Sequence, residues 1–172
     1  MTTTAPFKQI NLSMIDFRTY LFSVLFVTGN LVLPQVCHQF IPDGGKILLP
    51  IYFFTLIASY KFGLKIGLLT ALFSPLLNSL LFGMPILAAL PVLLIKSTLL
   101  AIAAAWIAHK SQSVSLLLIA LTILSYQLAG GFAEWLITSD LSVATQDFRI
   151  GIPGMLIQWL AGWGILRMMS KI

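Results

Sequence analysis

The chain has 172 residues, of which 59% are hydrophobic and only 9% charged, with a formal net charge of +5. A soluble domain carries about 25% charged residues because it must wet its own surface, so this composition excludes a water-soluble fold. It also gives no nucleic-acid partner: the basic residues fall singly at the ends of apolar runs, where membrane topology accounts for them.

A membrane-spanning helix needs roughly 20 apolar residues, and six such runs can be laid along the chain. The first covers about residues 17 to 36. No small-residue cleavage site follows it, so it is expected to be a permanent span and not a cleaved signal. The stretch CHQFIPDGGK holds Pro42, Asp43, Gly44 and Gly45 and reads as a turn. A second, short run covers about 47 to 60, and Pro50 either kinks it or marks its start. Lys61 and Lys65 bracket the next turn. The third run, about 66 to 82, contains Pro75 and Asn78 and ends at Gly83–Met84–Pro85. The fourth, about 86 to 108, carries Pro91 and Lys96 and stops at His109 and Lys110. The fifth covers about 114 to 138, a polar loop SDLSVATQDFR follows, and the sixth covers about 151 to 169.

Lys8, Arg18, Lys61, Lys65, Lys110, Arg167 and Lys171 fall on one side of this six-span arrangement. The other side has Lys46 and Arg149, accompanied by Asp43, Asp140 and Asp147. Positive residues stay in the cytoplasm. The expectation is an all-α integral membrane protein, one domain over residues 1–172, built as a bundle of six transmembrane helices with both termini inside.

Charged and amide side chains at membrane depth are the candidate functional groups. Lys96 lies within the fourth run, where a lone lysine costs a few kcal/mol unless it faces a partner or a cavity. Glu134, near the outer end of the fifth run, is the candidate partner. The pair is either a structural ion pair or part of a ligand site. Asn78 and Gln127 are either interhelical hydrogen-bond glue or cavity-facing groups. His38 lies just beyond the first run and is either a ligand contact or an interfacial residue satisfied by loop carbonyls. Tyr52, Phe53 and Phe54 either stack on a flat ligand or pack. Cys37 and His38 are adjacent and point about 100° apart on a helix, which makes them poor partners for one metal, and no metal site is expected. Small residues recur four apart at Gly63, Gly67 and Ala71 and at Ala101 and Ala105, a spacing that favours close helix packing. Phosphate-binding, zinc-protease and serine-hydrolase motifs are absent, so no catalytic residues and no enzymatic activity are expected.

One family shows a comparable ordered set of segments. The loop with His38, Gly44 and Gly45, then LLPIYF (Leu48–Phe53), FGLKIG (Phe62–Gly67) and SPLLNSLLFGMP (Ser74–Pro85), resembles substrate-binding S components of energy-coupling-factor (ECF) transporters. The resemblance covers roughly residues 30 to 110. It implies a six-helix binder that captures a vitamin, vitamin precursor or related micronutrient at its outer face, in a bacterial or archaeal cytoplasmic membrane. It further implies a membrane coupling subunit and two cytoplasmic ATPase subunits as partners, with ATP used by those subunits and no cofactor bound by this chain. On that reading the ligand contacts are His38, Asn78, Lys96 and Glu134, with Asp43, Gly44, Gly45 and Lys46 as a gate. The sequence departs from the family in two ways. Lys96 stands in the fourth helix where relatives often have glutamate, and the small-residue docking face of the first helix is represented only by Thr19 and Ser23. The alternative from another class is a non-transporting scaffold of the cell envelope.

Overall fold

The computed structural model describes residues 5–171, so the ends of the expected 1–172 domain, residues 1–4 and 172, lie outside the described residues. The first helix, α1 (Phe17–Phe40), starts where the Asp16 carboxylate accepts from the Arg18 amide at 2.9 Å. Pro34 sits inside it and has no N–H to offer the carbonyl of Asn30, four residues back. Asn78 supplies the missing donor: its side-chain amide reaches the Asn30 carbonyl at 2.8 Å. After α1 come a single helical turn, α2 (Gly44–Leu48), a 3-10 turn over Pro50–Tyr52, and the long α3 (Phe53–Phe82).

α3 is not straight. Gly63 has φ +79° and ψ −176°, a conformation essentially confined to glycine, and the chain reverses there. The Asn30 amide donates to both Thr55 Oγ1 at 3.0 Å and Ser74 Oγ at 3.1 Å. In a continuous helix those two hydroxyls would be about 28 Å apart at 1.5 Å per residue. A Cβ on Gly67 would likewise strike the Ser59 side chain. Residues 53–62 and 64–82 are therefore two arms folded against each other.

The short arm is the hub of the bundle. Every residue from Phe53 to Gly63 except Phe54 is buried. A helix apolar on all faces belongs in the centre, and here α1, the long arm, α4 (Leu90–Ser111) and α8 (Ile152–Met169) surround it. Ala101, Ala104, Ala105 and Ala108 are buried on α4 and let it approach closely. α4 starts with a proline in its first turn, as does α8. Between them lie α5 (Leu116–Thr138), capped by the Ser115 hydroxyl at 3.2 Å from the Leu118 amide, and two four-residue helices, α6 (Leu141–Ala144) and α7 (Gln146–Arg149).

Breaking a helix at Gly63 orphans the carbonyls of its last turn. The N-terminal segment satisfies them. Ile10 donates its amide to the Lys61 carbonyl at 2.8 Å, and the Gln9 side chain lies 3.3 Å from the carbonyls of Ser59 and Tyr60. The same segment forms β1 (Ala5–Pro6), antiparallel to β2 (Ser113–Val114) in the α4–α5 connection. Lys61 reaches across to the Met169 carbonyl at the end of α8. One end of the molecule thus gathers the segments carrying Lys8, Lys61, Lys65, Lys110, Arg167 and Lys171. The other end gathers the 41–49 and 139–151 connections, where α8 approaches so closely that a Cβ on Gly154 would hit the Leu48 backbone.

Among the described residues, four helical segments are long and apolar enough to cross a membrane: Phe17–Phe40, Pro50–Phe82, Leu90–Ser111 and Leu116–Thr138. This is a multi-span all-α bundle, in which length and composition single out four candidate spans and not the expected six. The expected spans two and three are the two arms of α3, counted together as one segment although the chain folds back at Gly63. The sixth expected span, α8, has 18 residues diluted by Gln158, Arg167 and the glycines 154, 162 and 164.

Candidate functional site

The end that gathers the 41–49 and 139–151 connections holds a buried ion cluster. Lys96 comes from α4, and its stem lies across Gly130 of α5, where a Cβ would meet the lysine Cγ at 2.5 Å. Glycine at 130 is what lets the ammonium run along the helix seam. Lys96 Nζ then donates to Glu134 Oε2 at 2.5 Å, one turn further along α5, and to Asp147 Oδ2 on α7 at 2.9 Å. The three side chains are 4%, 14% and 13% exposed. Each carboxylate offsets the desolvation of the lysine, and together they leave a formal charge of −1 on the cluster.

Tyrosines and amides extend this layer inward. Tyr52 and Tyr126 are buried with ring centroids 5.4 Å apart. The Tyr126 hydroxyl donates to Gln158 Oε1 at 3.0 Å, and Gln158 donates to the Leu49 carbonyl at 3.3 Å. Gln127, Gly130 and Glu134 fall at i, i+3 and i+7 on one face of α5. Gln127 is 1% exposed, yet neither its side-chain nitrogen nor its oxygen has a hydrogen-bond partner, and the buried Ser97 hydroxyl beside Lys96 in sequence has none either. Orphaned groups of this kind call for a missing partner.

On the far side of α7 lies a cleft of about 480 Å³. Asp43, Lys46 and Ile47 form one wall, and Ser142, Gln146 and Arg149 face them. Asp43 and Lys46 are mostly exposed and pair loosely at 3.6 Å, while Arg149 donates to the Ser142 hydroxyl at 3.0 Å. The rim carries one more positive than negative charge.

Of the ligand contacts expected from sequence, the structure brings Lys96 and Glu134 together. Asn78 is engaged elsewhere, bonded to the carbonyls of Asn30 and Ser74, although its Oδ1 is unpartnered. His38 is half-buried in the last turn of α1, packed against Gly45, where a Cβ would press on the imidazole. Gly44 packs in the same way on the Cys37 carbonyl. Tyr52 and Phe53 are buried in the core, and Phe54 covers Gly29. Thr19 and Ser23 are buried within the bundle, their hydroxyls bonded to the carbonyls of Ser13 and Thr19, so they form no exposed docking face.

Two residues escaped the sequence reading. Asp147 figured there only as an outer-side charge, because nothing in a loop sequence says which way a carboxylate turns. Asn30 carried a usable signal: it lies four residues before a proline within an apolar run, where a free carbonyl needs an outside donor. Compared with family models, curated proteins and solved structures, the chain matches none of them.

Proposed function

We propose that this chain is the membrane-embedded substrate-binding (S) component of an ECF-type transporter, capturing a small micronutrient from the outer side. Partner subunits, a membrane coupling protein and two cytoplasmic ATPases, would supply the energy, since no phosphate-binding loop is present in this sequence. The observation that carries this reading is the buried Lys96–Glu134–Asp147 cluster beside a cleft at the end poor in lysine and arginine. Ionisable groups at membrane depth are expensive and mark ligand or ion pathways by default. Clefts of a few hundred Å³ with a few convergent polar groups suit small solutes.

The topology in this reading is six crossings with both termini in the cytoplasm, in a bacterial or archaeal cytoplasmic membrane. The two arms of α3 and the shorter α8 each run between the same two ends of the bundle as α1, α4 and α5, which supports that count. Lys46, opposite Arg149 across the cleft, makes the 43–46 turn the natural gate. The activity is binding and not catalysis.

A second reading, a non-transporting envelope scaffold, is favoured by one observation. The stem of Lys96 is packed against Gly130 with no room to spare, as in a purely structural clamp. Native mass spectrometry of the detergent-purified protein from cells grown in rich medium separates the two. A discrete small molecule at one-to-one stoichiometry is expected. Protein that is empty, stays empty against a panel of vitamins and precursors, and instead holds envelope proteins would replace the transporter with the scaffold.

A further inference from the structure

We propose that Asp147 is a tethered stand-in for a ligand carboxylate, and that α6–α7 is the lid it latches over an anion site at Lys96. This deepens the solute-binding reading and rests on it. The two carboxylates on Lys96 are not equivalent. Glu134 belongs to a 23-residue helix packed along α4, whereas Asp147 belongs to a four-residue helix in the α5–α8 connection. That connection has few other anchors. Ala144 is the only buried residue of α6, resting its carbonyl over Gly131, and no residue of α7 is fully buried.

α7 also forms a partition. Gln146 and Arg149 face the cleft, and Asp147 turns away from it to Lys96. Lifting α7 would join the cleft to the space above the lysine. A monovalent carboxylate entering as Asp147 leaves would keep the buried charge unchanged, so the exchange carries no new net charge into the protein. Lys46 and Arg149 against Asp43 give the rim a positive balance that draws an anion inward. The unpartnered Gln127 amide, on the same face of α5 as Glu134, then offers a donor and an acceptor to the rest of the ligand. The ligand class is a small carboxylate-bearing solute.

The lid is read by a thiol placed on its buried face. In a Cys37→Ser, Ala144→Cys protein reconstituted in vesicles, a membrane-impermeant anionic methanethiosulfonate should label residue 144 slowly. Asp147→Asn, isosteric but without the charge, should speed labelling about tenfold or more, the weight of one charge-assisted hydrogen bond. Glu134→Gln should change it less than about threefold. Equal acceleration by both, or by neither, overturns the latch. In Asp147→Ala, acetate at constant ionic strength should raise the unfolding temperature saturably where chloride does not; identical behaviour of the two salts overturns the anion site. A protein that passes these tests but binds no micronutrient would lose the transport reading and keep the latch. One that binds a micronutrient with labelling unchanged would do the reverse.

Discussion

Two lysines are buried in this bundle, and they are accommodated in opposite ways. Lys61 is 6% exposed at the lysine-rich end and Lys96 is 3% exposed at the other. Among the described residues, no carboxylate pairs with Lys61. Its ammonium donates to the Met169 carbonyl at 2.8 Å and lies 5.1 Å from the centre of the Phe7 ring. It meets the negative end of the α8 dipole and a quadrupole, groups that stay put whatever the solvent does. Lys96 is instead held by two carboxylates, one of them on a short connecting helix. A lysine solvated by fixed dipoles is a brace. A lysine solvated by a carboxylate on a loop can exchange that partner for another.

The largest test of this contrast removes Lys96. Lys96→Met leaves Glu134 and Asp147 facing each other without their cation, and a broken buried pair costs about 3–5 kcal/mol. The unfolding temperature in detergent should fall steeply, and adding Glu134→Gln with Asp147→Asn should restore most of it by removing the stranded charges. Lys96→Met with unchanged thermal stability would mean that the cluster is already neutral or wet. Two carboxylates on one ammonium make truncation of Lys96 a stability change as well as a binding change.

Next in size is Gly63→Ala. The residue sits in a backbone region that side chains avoid, at about 1–3 kcal/mol, and the new Cβ would collide with the Asn11 side chain. Because Gly63 is where the hub arm reverses, the loss should appear as faster proteolysis of the N-terminal segment as well as a lower unfolding temperature. A neutral Gly63→Ala would show that the reversal is set by the 61–65 connection as a whole.

Parts of this architecture were legible for plain physical reasons, and parts were not. The distribution of Lys8, Lys61, Lys65, Lys110 and Arg167 against Asp43, Asp140 and Asp147 sorts the connections into the two ends seen in the fold, because a bilayer imposes that asymmetry. Lys96 and Glu134 were legible as a pair because they are the opposite charges nearest to one another in depth. The rotation of each helix was not legible. In a bilayer the lipid face and the core face are equally apolar, so the period that betrays the buried side of a soluble helix disappears. That is why Asn78 was expected at a ligand and is found bracing the proline-freed carbonyl of Asn30. The hub arm was unreadable for the same reason: FFTLIASY looks like any lipid-facing run, yet all of it except Phe54 is buried in protein.

The smallest expected effect belongs to Lys61. Replacing it by Met keeps the apolar stem against Phe7 and removes the charge. The losses are a charge-assisted hydrogen bond to the Met169 carbonyl and a cation–π contact, partly offset because no ammonium remains to be desolvated. The net should be about 1–2 kcal/mol, smaller than the Lys96→Met effect. Since no carboxylate among the described residues faces the ammonium, the difference between Lys61→Met and the unaltered protein should stay constant between roughly pH 5 and 8. Unfolding curves at the two ends of that range measure it. A Lys61→Met penalty that shrinks toward low pH would place a carboxylate in the service of Lys61, and the two lysines would then be variants of one design.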